Sequence, residues 1–100
     1  MFKRAHPRRV IAARVQAISE DPSGNPVITG AMVEDISTGG GSIRLATPFD
    51  VGTQIKIQWL NRQFQVTIMH CRPDGQQYIV GFQKAVDQEP WPTERRLQSK

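Results

Sequence analysis

The chain has 100 residues, 38% of them hydrophobic and 22% charged, which fits one domain with a modest core and excludes a disordered tail. Its net charge of +4 is localised: Lys3, Arg4, Arg8, Arg9 and Arg14 all precede the first acid, Glu20, and the other eight Lys and Arg face nine Asp and Glu, about −1 for the remainder. No apolar run approaches the ~18 residues of a membrane span, no signal-peptide core follows the basic start, and a lone Cys71 excludes an internal disulfide; the expectation is a cytoplasmic protein whose arm meets an anionic partner.

Residues 1–9 read as a flexible basic arm, because Pro7 lies between Arg4 and Arg8 and interrupts any helical face. From Val10 to Ile18 the residues Ile11, Ala13, Val15 and Ala17 alternate with Arg14 and Gln16, the period of a strand. Asp21-Pro-Ser-Gly-Asn-Pro26 is a turn, and Val27 to Ile36 returns to β-branched and apolar residues, completing a hairpin. Ser42 to Ala46 is a short strand, followed by the breakers Pro48, Asp50 and Gly52. Thr53 to Leu60 buries Ile55, Ile57 and Trp59; Asn61-Arg62 connects it to a strand with Phe64, Val66, Ile68 and His70 on one face. Pro73-Asp74-Gly75 is a turn, and Tyr78 to Phe82 is a sixth strand. Six short strands imply an antiparallel barrel or a sandwich over residues 10–86. The tail, residues 87–100, changes character: Trp91 is a packing anchor between two prolines, and Thr93 caps a short C-terminal helix.

Enzymatic and metal chemistry find few residues to work with. His70 and Cys71 are strand neighbours facing opposite sides and cannot share a tetrahedral metal site. Ser37 has no nearby histidine base in sequence and no nucleophile elbow surrounds it. Glu34-Asp-Ile-Ser-Thr-Gly-Gly-Gly-Ser-Ile-Arg-Leu45 matches neither the P-loop nor the dinucleotide glycine pattern. Its glycines, taken alone, read as a bulged turn using positive φ.

Two features raise this segment above a turn. Asp35 and Ser37 are two apart on an extended segment, so both project from one face, where a carboxylate can accept two N–H bonds from a guanine edge. The arm supplies guanidinium groups suited to phosphate forks and to the O6/N7 edge of guanine.

Arg4-x-x-x-Arg8, followed by a hairpin and then Asp35-x-Ser37-x-x-Gly40 ahead of barrel strands ending in Tyr78-Ile-Val-Gly-Phe82, resembles the two-part signature of the PilZ domain, the bacterial receptor module for cyclic di-GMP. The resemblance covers residues 3 to 86 and implies an all-β, six-stranded antiparallel barrel whose arm wraps a ligand against the Asp-x-Ser-x-x-Gly surface. It assigns Arg4 and Arg8 to guanine edges and phosphates, Asp35 and Ser37 to a guanine and neighbouring oxygens, and Gly40 to close backbone approach. Lys3 and Arg9 flank the motif as further phosphate contacts, and Lys3 stands where the family sets whether one or two stacked ligands bind. The implied function is non-enzymatic: a cyclic di-GMP receptor, without a cofactor, that signals to a downstream partner protein. The competing expectation is a small basic barrel that binds single-stranded nucleic acid, with Trp or Phe as stacking platforms.

Overall fold

The alternation resolves into six strands: β1 (Arg9–Glu20), β2 (Pro26–Ser37), β3 (Gly40–Leu45), β4 (Gln54–Trp59), β5 (Arg62–Asp74) and β6 (Gln77–Lys84). The computed structural model describes residues 9–86, 88 and 90–92, with side chains from residue 11 onward. The basic arm with Lys3, Arg4 and Arg8, the Arg9 side chain and the helix expected from Thr93 lie outside the described residues.

Every pairing is antiparallel, and the order β1-β2-β3-β6-β5-β4 closes into a barrel, which decides against the sandwich. Closure rests on a short seam where Gln16, Ala17 and Ile18 of β1 meet Gln58, Ile57 and Lys56 of β4. All six strands contribute inward residues: Val15 and Ala17, Val33 and Ile36, Ile43 and Leu45, Ile55, Ile57 and Trp59, Phe64, Val66 and Ile68, Val80 and Phe82. Closing the sheet removes the unpaired edges that an open six-stranded sheet would expose.

Short connections follow their turn chemistry. Asp21 caps the first hairpin, its Oδ1 accepting from the backbone N–H groups of Ser23 and Asn25, each at 2.9 Å. Between β4 and β5 the turn is Leu60-Asn61, one residue earlier than expected, because Trp59 pairs with Arg62. Leu60 carries φ of 58°, an uncommon value for a branched residue, and is exposed. The β5–β6 turn is Gly75-Gln76, with Asp74 paired to Gln77 and Gly75 at φ 66°.

Three register shifts interrupt the alternation, and two of them decide which side chains reach the surface. Val33 faces Ile43 while Asp35 faces Ser42, so Glu34 is an extra residue in β2. That bulge turns both Glu34 and Asp35 outward and lets Val33 and Ile36, three apart, both be fully buried. In β5, Ile68 faces Phe82 while His70 faces Gly81, so Met69 is extra. The expectation that His70 continues the inward face of Phe64, Val66 and Ile68 is therefore corrected: His70 is exposed, and the half-buried Cys71 packs against the core in its place.

The tail closes one end of the barrel. Trp91 is fully buried, with ring centroids 4.7 Å from Phe64 and 5.9 Å from both Trp59 and Phe82. Lys84 Nζ lies 4.4 Å from the Trp91 centroid, on the far side of a cation–π contact. Gln88 fastens the chain just before it, accepting from the Gln65 backbone N–H at 2.7 Å and donating to the Gln65 carbonyl at 2.8 Å. Trp91 is the packing anchor that its position between prolines suggested.

Candidate functional site

The segment Glu34 to Leu45 forms the end of β2, a two-residue turn at Thr38-Gly39, and β3, with Ser37 paired to Gly40. The glycine triplet is not a positive-φ turn: the glycines with positive φ among the described residues are Gly24, Gly52 and Gly75. Gly40 and Gly41 are instead buried strand residues. A Cβ on Gly40 would collide with the Phe82 carbonyl, and one on Gly41 would come within 2.5 Å of the Asp35 carbonyl. Glycine is required here so that β3 can lie close to β6 and β2, a reason internal to the barrel.

Asp35 and Ser37 do share the outward face, with Ile36 buried between them. The Asp35 carboxylate accepts from the Ser42 hydroxyl at 3.1 Å, across the β2–β3 pair. Ser42 joins the candidate site through this bond and was passed over by sequence reasoning; its signal was the same alternation, since it precedes the inward Ile43. On the other side of Asp35 lies β1, whose first residue Arg9 is opposite Ile36 and whose Val10 is opposite Asp35. The barrel therefore begins beside the Asp-x-Ser segment, and Arg8 is joined by one peptide bond to a residue of that pair.

Two further links hold this corner. The Trp91 indole N–H donates to the Ser37 carbonyl at 2.7 Å, so the plug inside the barrel grips the backbone whose side chain faces outward. One row further along, Arg44 is bound between Glu34, with Nε to carboxylate at 2.6 Å, and Asp74, with Nη1 to carboxylate at 2.7 Å. The hydrogen bonds that Arg44 donates to Glu34 and then to Asp74 hold its pKa above its ordinary value, keeping the cation committed to its neighbours. Arg14 and Arg72 are exposed strand residues on the same face as Arg44, connected through the pairs Arg14–Met32, Met32–Arg44, Arg44–Ile79 and Arg72–Ile79. Among the described residues no group of three or more His, Cys, Asp or Glu side chains is placed to hold a metal ion.

A family model described as the PilZ domain matches residues 2–98. The chain belongs to the PilZ domain family. Solved structures share the fold of this PilZ domain: K. pneumonia MrkH in its complex with c-di-GMP has a TM-score of 0.67 at 13% identity, over 99% of this chain and 51% of that one. YcgR from Escherichia coli in complex with c-di-GMP has a TM-score of 0.63 at 21% identity, over 97% of this chain and 43% of that one. The PilZ domain of YcgR with c-di-GMP has a TM-score of 0.59 at 18% identity, over 97% of this chain and 87% of that one. This PilZ domain thus spans about half of the MrkH chain and less than half of the YcgR chain. No curated protein matches the sequence.

Proposed function

We propose that this PilZ domain is a non-enzymatic receptor for cyclic di-GMP. The observation that carries the reading is the juxtaposition at the start of β1: a chain bearing Arg4-x-x-x-Arg8 joins the barrel at Arg9, opposite Ile36, between Asp35 and Ser37 of the second motif half. MrkH and YcgR, which share the fold, are seen bound to c-di-GMP, and this supports the same ligand here. In this reading Asp35 takes the N–H edge of a guanine, Ser37 bonds a neighbouring oxygen, Gly40 keeps the backbone low, and Arg4 and Arg8 grip guanine edges and phosphates. Lys3 and Arg9 add charge near the phosphates, with Lys3 at the position that governs one or two stacked ligands.

Ordering of the arm over the ligand is the signal, and a surface read by a partner protein is the output. Among the described residues the nucleic-acid alternative lacks exposed platforms: Trp59, Phe64, Phe82 and Trp91 are all buried, and Phe49 and Tyr78 are half-buried. Calorimetric titration with cyclic di-GMP, GTP and a short oligonucleotide tests the assignment. Cyclic di-GMP binds with guanine preference and shallow salt dependence, and Arg8→Ala and Asp35→Ala each weaken it by about 1–3 kcal/mol. Unchanged affinity in both variants, or length-dependent oligonucleotide binding with a steep salt slope, overturns it.

A further inference from the structure

We infer that His70 is a ligand-contacting residue of this site, closing the side opposite Asp35 and donating through Nε2 to the N7/O6 edge of the guanine whose other edge Asp35 holds. The inference rests on the cyclic di-GMP reading and adds a residue that neither half of the sequence motif contains. It starts from the strand register. Asp35 faces Ser42, Ser42 faces Gly81, and Gly81 faces His70, so the four residues form one row across β2, β3, β6 and β5 on the outer face. His70 belongs to this row only because the Met69 bulge reverses the phase of β5.

The His70 ring leaves its own strand and lies across the neighbouring one. A Cβ built on Gly81 would overlap the imidazole, with Nε2 the closest atom and Cδ2 at 2.7 Å, so the outer edge of the ring rests on the glycine. The ring can lie there because Gly81 has no side chain, and its Nε2 edge is carried from β5 toward β3 and Asp35. Among the described residues, Ser42 alone stands in the row between that ring on β6 and the carboxylate on β2, 5% exposed and turned toward Asp35. Two strand spacings put the β2 and β6 backbones about 10 Å apart, and the two side chains lean toward each other across β3, the carboxylate onto Ser42 and the ring onto Gly81. A guanine seated over Ser42 turns its N1/N2 edge to Asp35 and its N7/O6 edge to the His70 side. Among the described residues His70 supplies the only aromatic ring on the outer face of these four strands.

The test is a titration of wild type, His70→Ala and His70→Gln with cyclic di-GMP and with its analogue in which guanine N7 is replaced by C–H. His70→Ala weakens cyclic di-GMP about three- to tenfold, the scale of one hydrogen bond, and His70→Gln, which keeps an N–H donor, recovers part of the loss. The analogue costs wild type a similar factor and costs His70→Ala nothing further, because the contact is already gone. Equal affinity of His70→Ala and wild type, with Asp35→Ala still weakened, overturns the His70 contact and leaves the receptor reading standing. No binding by wild type overturns both. As His70 also covers Gly81, the His70 ring resonances of the wild-type protein are followed during titration: a ligand-dependent Nε2 shift supports the contact, and its absence at saturation overturns it.

Discussion

The two faces of the β2–β3 hairpin carry opposite loads. Inside, Ile36 and the Trp91, Phe64 and Phe82 rings form a dry plug in which no described ring is open to solvent. Outside, Asp35, Ser42, Gly81 and His70 make a polar row whose two central residues are a serine and a glycine. One residue of backbone separates them, since Asp35 points out and Ile36 points in. Ser37 belongs to both: its side chain shares the outer face with Asp35, and its carbonyl accepts the Trp91 N–H at 2.7 Å. A site built this way is held by the core directly behind it, which limits the motion that a mobile loop would bring to recognition.

Substitutions that separate the two faces test this division. The largest effect is expected from Trp91→Ala, which empties the plug and should lower unfolding free energy by about 3–5 kcal/mol in urea denaturation. The milder Trp91→Phe keeps a ring but removes the indole N–H that bonds the Ser37 carbonyl. It should cost about 1–3 kcal/mol and, unlike a core change elsewhere, also loosen amide exchange at Thr38 and Gly39. Gly40→Ala forces a methyl into the Phe82 carbonyl and should cost about 1–3 kcal/mol in the same denaturation assay, with or without ligand. If it weakened binding and left stability intact, Gly40 would belong to the ligand alone.

Asp35→Ala should behave in the reverse sense. It gives up the part-buried bond from Ser42 but leaves the barrel core untouched, so the unfolding free energy should fall by no more than about 1 kcal/mol while cyclic di-GMP affinity falls by about 1–3 kcal/mol. A stability loss as large as that of Gly40→Ala would place Asp35 with the structural face. The smallest effect is expected from Arg44→Gln. Its guanidinium sits half-exposed between Glu34 and Asp74, and such pairs are screened by salt. The denaturation midpoint should be indistinguishable from wild type at physiological ionic strength and fall below it only at low salt.

Much of this was visible in the residues themselves. The strands were legible because period-two alternation of Ile55, Ile57 and Trp59, or of Phe64, Val66 and Ile68, has one solution when a single face is buried. The Asp35 and Ser37 pair was legible for the same reason, and Trp91 because a large apolar ring between prolines needs a core to enter. The two bulges were not. Glu34 and Met69 look like any other strand residues, and an extra residue is recognisable only against the strand it fails to match. His70 was misplaced on the inner face for that reason, and the glycine triplet was read as a turn because the approach of Phe82 and Asp35 carbonyls comes from strands distant or antiparallel in the chain.

By itself, then, the amino-acid order determined the six strands, the apolar set that fills the barrel and the two halves of the family signature, since each depends on neighbours a few positions apart. The tertiary structure decided which polar residues stand together. It brought the start of β1 to Ile36, set Ser42 against Asp35, laid His70 over Gly81 and tied Trp91 to Ser37. Those juxtapositions follow from inter-strand register and from closure of the sheet on itself, and register is a property of pairs of strands that neither strand encodes alone.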